Sequence, residues 1–447
     1  MGNNISREYI KPAARVRGGA RVPHCKNTAE CATVDMTPPG SVAIMMSQHI
    51  GAPSVVCVKP GDRVCVGTPV GNAADGLSVP VYSSVSGTVK SIEDRVMSSG
   101  CVSKAVVIEA DGEQTPDDNI KPPAVETGEQ LTEAIRKSGI VGLGGAGFPT
   151  YVKIKGAKDA DTLVVNGAEC EPYITADYRE IIENSDDILN AVYTIKRLMD
   201  IKNVIFVIED NKPLAIEKLL KVVSDRQDSD NSVRVMKVRS VYPRGAEKMT
   251  VYAATGRKIP PGGLPAAVGC IVMNITTLGS IGRYLKTGMP LVSKRLTIDG
   301  SAVANPMNVR VPIGASAKDI IDFTGGYKTE PKKLIFGGPM MGFAVPNDEI
   351  VVTKHNNAIL AFDEKSVGKS GYSDCIRCGR CVKACPMSLM PAAIERAVTL
   401  SDTDDLLKLG AMNCMECGSC AFACPAKRPL VQVMRLAKQK IKEGREG

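Results

Sequence analysis

Eight cysteines set the chemistry of this chain. They fall in two runs, Cys375-Ile-Arg-Cys378-Gly-Arg-Cys381-Val-Lys-Ala-Cys385-Pro386 and Cys414-Met-Glu-Cys417-Gly-Ser-Cys420-Ala-Phe-Ala-Cys424-Pro425. Each has the C-x2-C-x2-C-x3-C-P spacing of thiolates that grip a cubane, and in two-cluster proteins the fourth cysteine of each run crosses to the other cluster. The spacing assigns Cys375, Cys378, Cys381 and Cys424 to one [4Fe-4S] cluster, and Cys414, Cys417, Cys420 and Cys385 to a second. Gly379 and Gly418 let backbone approach the inorganic sulfides, and Pro386 and Pro425 turn the chain away. A zinc knuckle rarely spaces three cysteines this way, and disulfides suit an oxidising compartment. The elements that hold the runs apart are also legible. Pro391 stands at the first position of a helix, and Ser401 with Asp404 reads as a capping box for another. Two helices between the runs predict an α-helical ferredoxin arrangement rather than a compact βαβ one.

The totals limit what else the chain can be. At 447 residues it is long enough for three or four domains, and 44% hydrophobic with 23% charged residues is an ordinary soluble composition. A net charge of +8 is too small for a nucleic-acid footprint, although the basic tail Arg435 to Arg445 suits an acidic partner or an anionic leaflet. No run of 18 apolar residues occurs, and Met1-Gly-Asn-Asn-Ile-Ser carries no hydrophobic signal region, although it matches a myristoylation pattern. The expectation is a chain that neither spans a membrane nor leaves the cytoplasm by the general secretory route. Fifteen cysteines without a signal peptide point to a reducing compartment, and the seven outside the runs read mostly as buried small hydrophobes. Three histidines and no tryptophan argue against histidine-based acid–base catalysis.

Upstream of the cysteines the pattern changes several times. Residues 1–40 read as an extended polar arm. Residues 41–124 carry short β-branched runs broken by Gly-Asp and Ser-Gly turns, a small all-β module similar to the hammerhead of biotinyl and lipoyl carriers. No lysine occurs between Asn72 and Ser84, where a swinging arm would be attached, so the module reads as a scaffold. Residues 125–290 alternate helix and strand. Gly128–Ser138, Asp186–Leu198 and Leu214–Val223 have helical periodicity, while Thr162, Val204 and Val233 open strands. Such alternation predicts a mostly parallel, Rossmann-like sheet that binds ligand at the carboxyl ends of its strands.

Two stretches belong at those ends. Gly142-Leu-Gly144-Gly145-Ala-Gly147-Phe148-Pro149 brings backbone N–H groups together without side chains, a nest for phosphate or a bed for a flat ring, with Lys153 as countercharge. A tight turn is the plainer reading of that stretch alone. Asn166-Gly-Ala-Glu169-Cys-Glu171-Pro172 follows the first strand, and its carboxylates suit hydrogen bonds to a ribose or to flavin ring edges. Asp177 and Arg179, just beyond, read as a solvated turn.

These stretches carry a resemblance. Gly142–Lys153 with Asn166–Pro172 resembles the flavin and NADH site of the respiratory complex I flavoprotein subunit, departing at Leu143 and Ala168. Tyr242-Pro-Arg-Gly245-Ala-Glu247 is similar to its Tyr-x-x-Gly-Glu-Glu turn, with Ala246 in place of one glutamate, and Val272-Met-Asn274-Ile-Thr-Thr277 resembles its flavin-contacting segment. The whole order, together with Gln48-His-Ile-Gly-Ala-Pro and Pro339-Met-Met-Gly, resembles the C-subunit family of Rnf/Rsx electron-transport complexes, most loosely in the arm at Gly18–His24. The resemblance implies FMN on Gly142, Gly144, Gly145 and Gly147 with Lys153 near its phosphate. It implies Asn166, Glu169 and Asn274 against the flavin, and Phe148, Glu171 and Glu247 placing NAD(H). Residues 291–362 resemble the soluble-ligand-binding β-grasp domain of the same flavoproteins, here expected to bridge domains. Gly337–Gly342 reads as a linker towards the cluster domain, residues 363–447.

A flavin must stand between a two-electron nicotinamide and one-electron clusters. The expected protein is a peripheral subunit on the cytoplasmic face of a prokaryotic membrane. It passes electrons between NAD(H), FMN and two [4Fe-4S] clusters, and indirectly ferredoxin, while integral-membrane and iron–sulfur partner subunits move sodium ions or protons. The alternatives are a soluble flavin and iron–sulfur reductase serving a cobalamin enzyme or an amino-acid reductase, and a non-catalytic iron–sulfur adaptor.

Overall fold

Four apolar strands, Val233–Val238, Asn203–Glu209, Thr162–Gly167 and Cys270–Asn274, lie side by side in that order, all parallel. Their residues are β-branched and buried on both faces, as helix-covered parallel strands must be. The chain steps outward from the Thr162 strand twice and then returns to its other side. The order therefore reverses between Thr162–Gly167 and Cys270–Asn274, which opens a crevice at their carboxyl ends. Helices Ala176–Leu198 and Ile275–Thr287 pack together on one face through Ile181, Ile188, Leu278 and Ile281. The first of these starts ten residues before the sequence pattern predicted and bends at Asn184, where the backbone leaves helical geometry.

The computed structural model describes residues 9–156, 158–226, 231–368 and 371–446, so the Met1–Ser6 pattern lies outside the described residues. The chain is a multidomain assembly of α/β and α+β units. Antiparallel sheets of four and three short strands enclose Val42, Ile44, Val70, Val81, Val106 and Ile108. A mixed six-stranded sheet follows, built on the Ser293–Asp299 and Met307–Pro312 hairpin and crossed by the Ala317–Phe323 helix. Its edge strand, Val34–Asp35, comes from the N-terminal arm. That arm is extended, as expected, and fastened throughout: Ile10 bridges Met236 and Ala20 bridges Tyr242.

The carboxyl-terminal unit is helical around Leu389, Ile394, Leu406, Met434 and Ile441. Helices Pro391–Thr399 and Thr403–Lys408 separate the cysteine runs. The second is capped one residue later than the sequence suggested. Ser401 takes a left-handed conformation (φ +56°), so the Asp402 side chain accepts from Asp405 N–H.

Three further expectations are corrected. Gly337–Gly342 is a turn inside the six-stranded sheet, joining Lys333–Phe336 to its antiparallel neighbour Phe343–Val345, and not a linker. Of the seven other cysteines only Cys270 is buried, while Cys57 and Cys101 are exposed, because they sit at strand edges and turns rather than on core faces. Asp177 and Arg179 are not a solvated turn. Asp177 accepts from Asn274 Nδ2 and Thr276 Oγ1, both at 2.6 Å, and Arg179 is buried, donating to Glu183 and to the Ala29 carbonyl. The helix that begins at Ala176 turns both side chains back into the protein.

Candidate electron-transfer site

Asn166 and Asn274 stand opposite each other in register on the two strands that flank the crevice. Asn166 Nδ2 donates to Gly245 O at 2.7 Å, which ties the Tyr242–Glu247 turn to the strand end. Asn274 caps the Ile275–Thr287 helix, accepting from Thr276 and Thr277 N–H, and spends its amide on Asp177.

The glycine-rich stretch lies over this crevice. A Cβ on Gly144 would come 2.5 Å from Asn274 Nδ2, so only glycine permits that approach. Leu143, where the complex I pattern has arginine, is buried and donates its N–H to Thr277 Oγ1 at 3.0 Å. It is an anchor that leaves Gly144, Gly145 and Ala146 exposed. Gly142 N–H closes the loop on Phe148 O, and Ile50 N–H donates to Gly147 O, so the all-β module holds the loop from behind. Lys294 and Lys354, both buried, brace the same region. Lys294 Nζ donates to Lys354 O at 2.7 Å and Lys354 Nζ to Pro80 O and Gly139 O. Burial pulls each amine down to about 7, with Asp177 opposing the shift at Lys294.

Lys153 is brought to the crevice but is not free: its Nζ forms a 2.7 Å ion pair with Glu247 and also donates to Val272 O. Glu169 and Glu171 occupy distinct settings. The Glu169 carboxylate accepts from Asp177 and Tyr178 N–H at the start of a helix, and burial, reinforced by Asp177, raises its pKa against the pull of Lys26 and Lys212. Glu171 points the other way, accepting from Met340 N–H at 3.0 Å and from Tyr242 Oη at 3.4 Å, and burial pushes it up to about 7.

Several residues escaped the sequence reading. Lys26, in the arm, donates to the carbonyls of Glu169, Glu171 and Ile174, and so fixes the acidic turn. Buried Lys212 donates to Ala168 O at 2.6 Å and pairs with Glu209. Lys212 follows the Asn203 strand, so the rule of strand ends pointed towards it. Lys26 gave no signal, since its partners lie 143 to 148 residues away.

The crevice is continuous with the cysteines. Gly338 packs against the Glu171 carboxylate, and a Cβ on Gly418 would lie 3.0 Å from Met340 O, so one turn touches both Glu171 and the second cysteine run. Tyr242 is buried within electrostatic reach of Cys417. Cys385, Cys414, Cys417 and Cys420 line one small cavity with Met387, Leu389 and Met434. Cys414 and Cys420 each feel Cys417 and Cys385 electrostatically, Cys381 feels Cys424, and Cys385 feels both Cys417 and Cys381, so the two runs lie close together. Leu389 and Glu416 N–H point at the sulfurs of Cys385 and Cys414, both at 3.3 Å. Cys375 and Cys378 are exposed. Among the described residues no three His, Cys, Asp or Glu side chains converge as a single-ion site. The residues fit a cluster held from several sides of a cavity, and a glycine bed on which a flat ring can lie.

This fold and site define a class, the flavin- and iron–sulfur-binding electron-transfer proteins. Residues 135–283 match the Nuo51 FMN-binding domain, 14–113 the RnfC barrel sandwich hybrid domain, 295–344 the SLBB domain and 374–428 the 4Fe-4S dicluster domain. The chain is 41% identical over 431 residues to the C subunit of the Na(+)-translocating ferredoxin:NAD(+) oxidoreductase complex of Acetobacterium woodii, covering 95% of this chain and 96% of that one. It is 41% identical over 386 residues to the C subunit of the proton-translocating ferredoxin:NAD(+) oxidoreductase complex of Clostridium ljungdahlii, covering 85% and 83%. To the C subunit of the ion-translocating oxidoreductase complex of Rhodobacter capsulatus it is 36% identical over 435 residues, covering 96% and 83%. The chain belongs to the C-subunit family of Rnf-type ion-translocating oxidoreductase complexes.

Proposed function

We propose that this chain is the NAD(H)-side electron port of an Rnf-type ferredoxin:NAD oxidoreductase, peripheral on the cytoplasmic face of the membrane, with partner subunits coupling the electrons to sodium-ion or proton movement. Among the described residues no helix is long and apolar enough to cross a membrane. The units are read as a lipoyl-like barrel-sandwich (41–124), a Rossmann-like FMN and NADH domain (125–290), a β-grasp domain (291–362) and an α-helical ferredoxin domain (363–447), preceded by the arm (1–40).

Bound FMN supplies the exchange between the two-electron chemistry of a nicotinamide and the one-electron chemistry of clusters. The chain's own groups do the placing. Gly142, Gly144, Gly145 and Gly147 offer bare backbone to the ring system and phosphate, and Lys153 supplies positive charge without leaving Glu247. Asn166 and Asn274 set the floor. Glu169 gives its oxygens to helix N–H groups, and its part is to hold the turn that presents Glu171. Phe148, Glu171 and Glu247 are the groups assigned to receive a nicotinamide nucleotide. Cys385, Cys414, Cys417 and Cys420 form the inner cluster site, and Cys375, Cys378, Cys381 and Cys424 the outer one.

The observation that carries this reading is the unbroken chain of contact from the strand-end crevice through Glu171 and Met340 to Gly418, beside the inner cysteines. Purification of the tagged chain in mild detergent tests it. Integral-membrane subunits should co-purify with it, and their repeated absence would favour a soluble reductase.

A further inference from the structure

A second concave surface lies between the arm and the edge strand of the parallel sheet. Its walls are the arm, residues 9–21, and the end of the Val233–Val238 strand with the turn that follows, and it encloses about 1110 Å³. Among the described residues, seven of the sixteen that line it are cations, Lys11, Arg15, Arg17, Arg21, Lys237, Arg239 and Arg244, and none is acidic. The whole chain carries only +8, so this one groove holds a charge nearly equal to the net charge of the molecule. Arg15, Arg17, Arg21 and Arg239 form no ion pair with a described carboxylate. Arg244 is half-buried among them. Burial, together with like-charge repulsion from Arg239 and Arg15, lowers its affinity for its proton, opposed by Glu209. Like charges gathered in one cleft work against folding, and the arrangement raises the local concentration of an anionic partner.

The groove adjoins the cluster unit. Gly19 N–H donates to Ala384 O at 2.8 Å, and a Cβ on Gly18 would lie 2.7 Å from Cys385 O. Whatever fills the groove therefore rests against the segment that carries the crossing cysteine of the inner site.

We infer that this groove is the docking site for an acidic polypeptide segment of a partner subunit in the electron-transport complex. The inference rests on the reading of the chain as a subunit of that complex. The shape selects protein over membrane. A bilayer is flat and meets a rim, whereas these cations come from both the arm and the strand-end turn that line a concave groove, together with Val16, Val238, Val241 and Ala253, which suits an extended chain with acidic and apolar side chains. Complementary charge across such an interface fixes register and speeds encounter.

The test uses the full-length chain expressed with its partner subunits. A photo-crosslinking amino acid at Ala14, inside the groove, should form an adduct with a partner protein at a peptide rich in Asp and Glu. The double variant Arg15→Glu with Arg239→Glu should lower recovery of the partner subunits by about tenfold or more, since like charges then face each other. In the isolated double variant, reduction of flavin and clusters by NADH should match the wild type, because neither residue touches the crevice. Adducts with phospholipid alone, no adduct, or recovery of partners at the wild-type level would each overturn the docking site. Failure of NADH to reduce the isolated wild-type chain would overturn the port reading instead, and leaves the crosslinking result to be judged on its own.

Discussion

Glu171 is held by groups from separate parts of the chain, Met340 N–H on one side and Tyr242 Oη on the other, and its carboxyl ionises near pH 7 because burial disfavours the charge. In the role proposed for it, as an acceptor towards a nicotinamide nucleotide, it works best ionised. The KM for NADH should therefore climb as pH falls through about 7. In Glu171→Gln the KM should be raised by about tenfold or more at pH 8, the worth of one hydrogen bond to a charged group, about 1.5–3 kcal/mol. The variant should also lose that pH dependence while keeping its FMN, and a steady-state pH series with flavin quantitation checks both. The buried lysines bear on stability instead. Lys294 and Lys354 are neutral in the fold above about pH 7 but protonated in the unfolded chain up to about 10.5. The unfolded state thus binds more protons in that window, and stability should rise with pH across it by up to about 1.4 kcal/mol per pH unit for each group. Lys354→Met should flatten the rise, read by urea unfolding at pH 7, 8 and 9. The cysteines and glycines of the site were legible because their roles depend on spacing and on missing side chains. Lys26 and Lys354 were not, because a buried lysine bonded to carbonyls far off in the sequence looks there like any surface lysine.

Strands and helices were largely legible from period and punctuation, and the misreadings fell where long-range packing decides. Gly337–Gly342 looked like a linker because glycine and proline mark both linkers and turns, and only the pairing of Lys333–Phe336 with Phe343–Val345 separates them. The turn is where Gly338 meets the Glu171 carboxylate. Gly338→Ala should displace Glu171 and slow NADH-driven cluster reduction, with flavin content retained, in stopped-flow traces. Arg295 carries no signal in the sequence, yet its guanidinium is fully buried, pairing with Glu180 and, at 2.7 Å, with Glu183. It clamps the six-stranded sheet to the long Ala176–Leu198 helix. Arg295→Met leaves carboxylates buried without that partner and should destabilise the protein by about 3–5 kcal/mol, measured by denaturant unfolding.

Across the whole molecule, the all-β module and the six-stranded sheet have a common task. Ile50 and Lys294 hold the glycine loop from behind, the Gly337–Gly342 turn carries contact from Glu171 to Gly418, and the arm fastens the cysteine unit through Gly19. The order of units could be read from the sequence; their convergence on one crevice could not, since it depends on contacts between segments more than a hundred residues apart. The inner cysteines lie in a cavity against this convergence and Cys375 and Cys378 face outward, so the proposed route runs between the crevice and the outer site by way of the inner one. An anaerobic titration of the cluster-reconstituted, FMN-loaded chain with NADH, following flavin absorbance and cluster EPR signals together, tests that claim most directly. The flavin absorbance should bleach and both cluster signals should then develop, whereas in Cys417→Ser the flavin should still bleach and the outer cluster should stay oxidised. Bound flavin that remains oxidised, or clusters that become reduced in chain without flavin, would contradict the account.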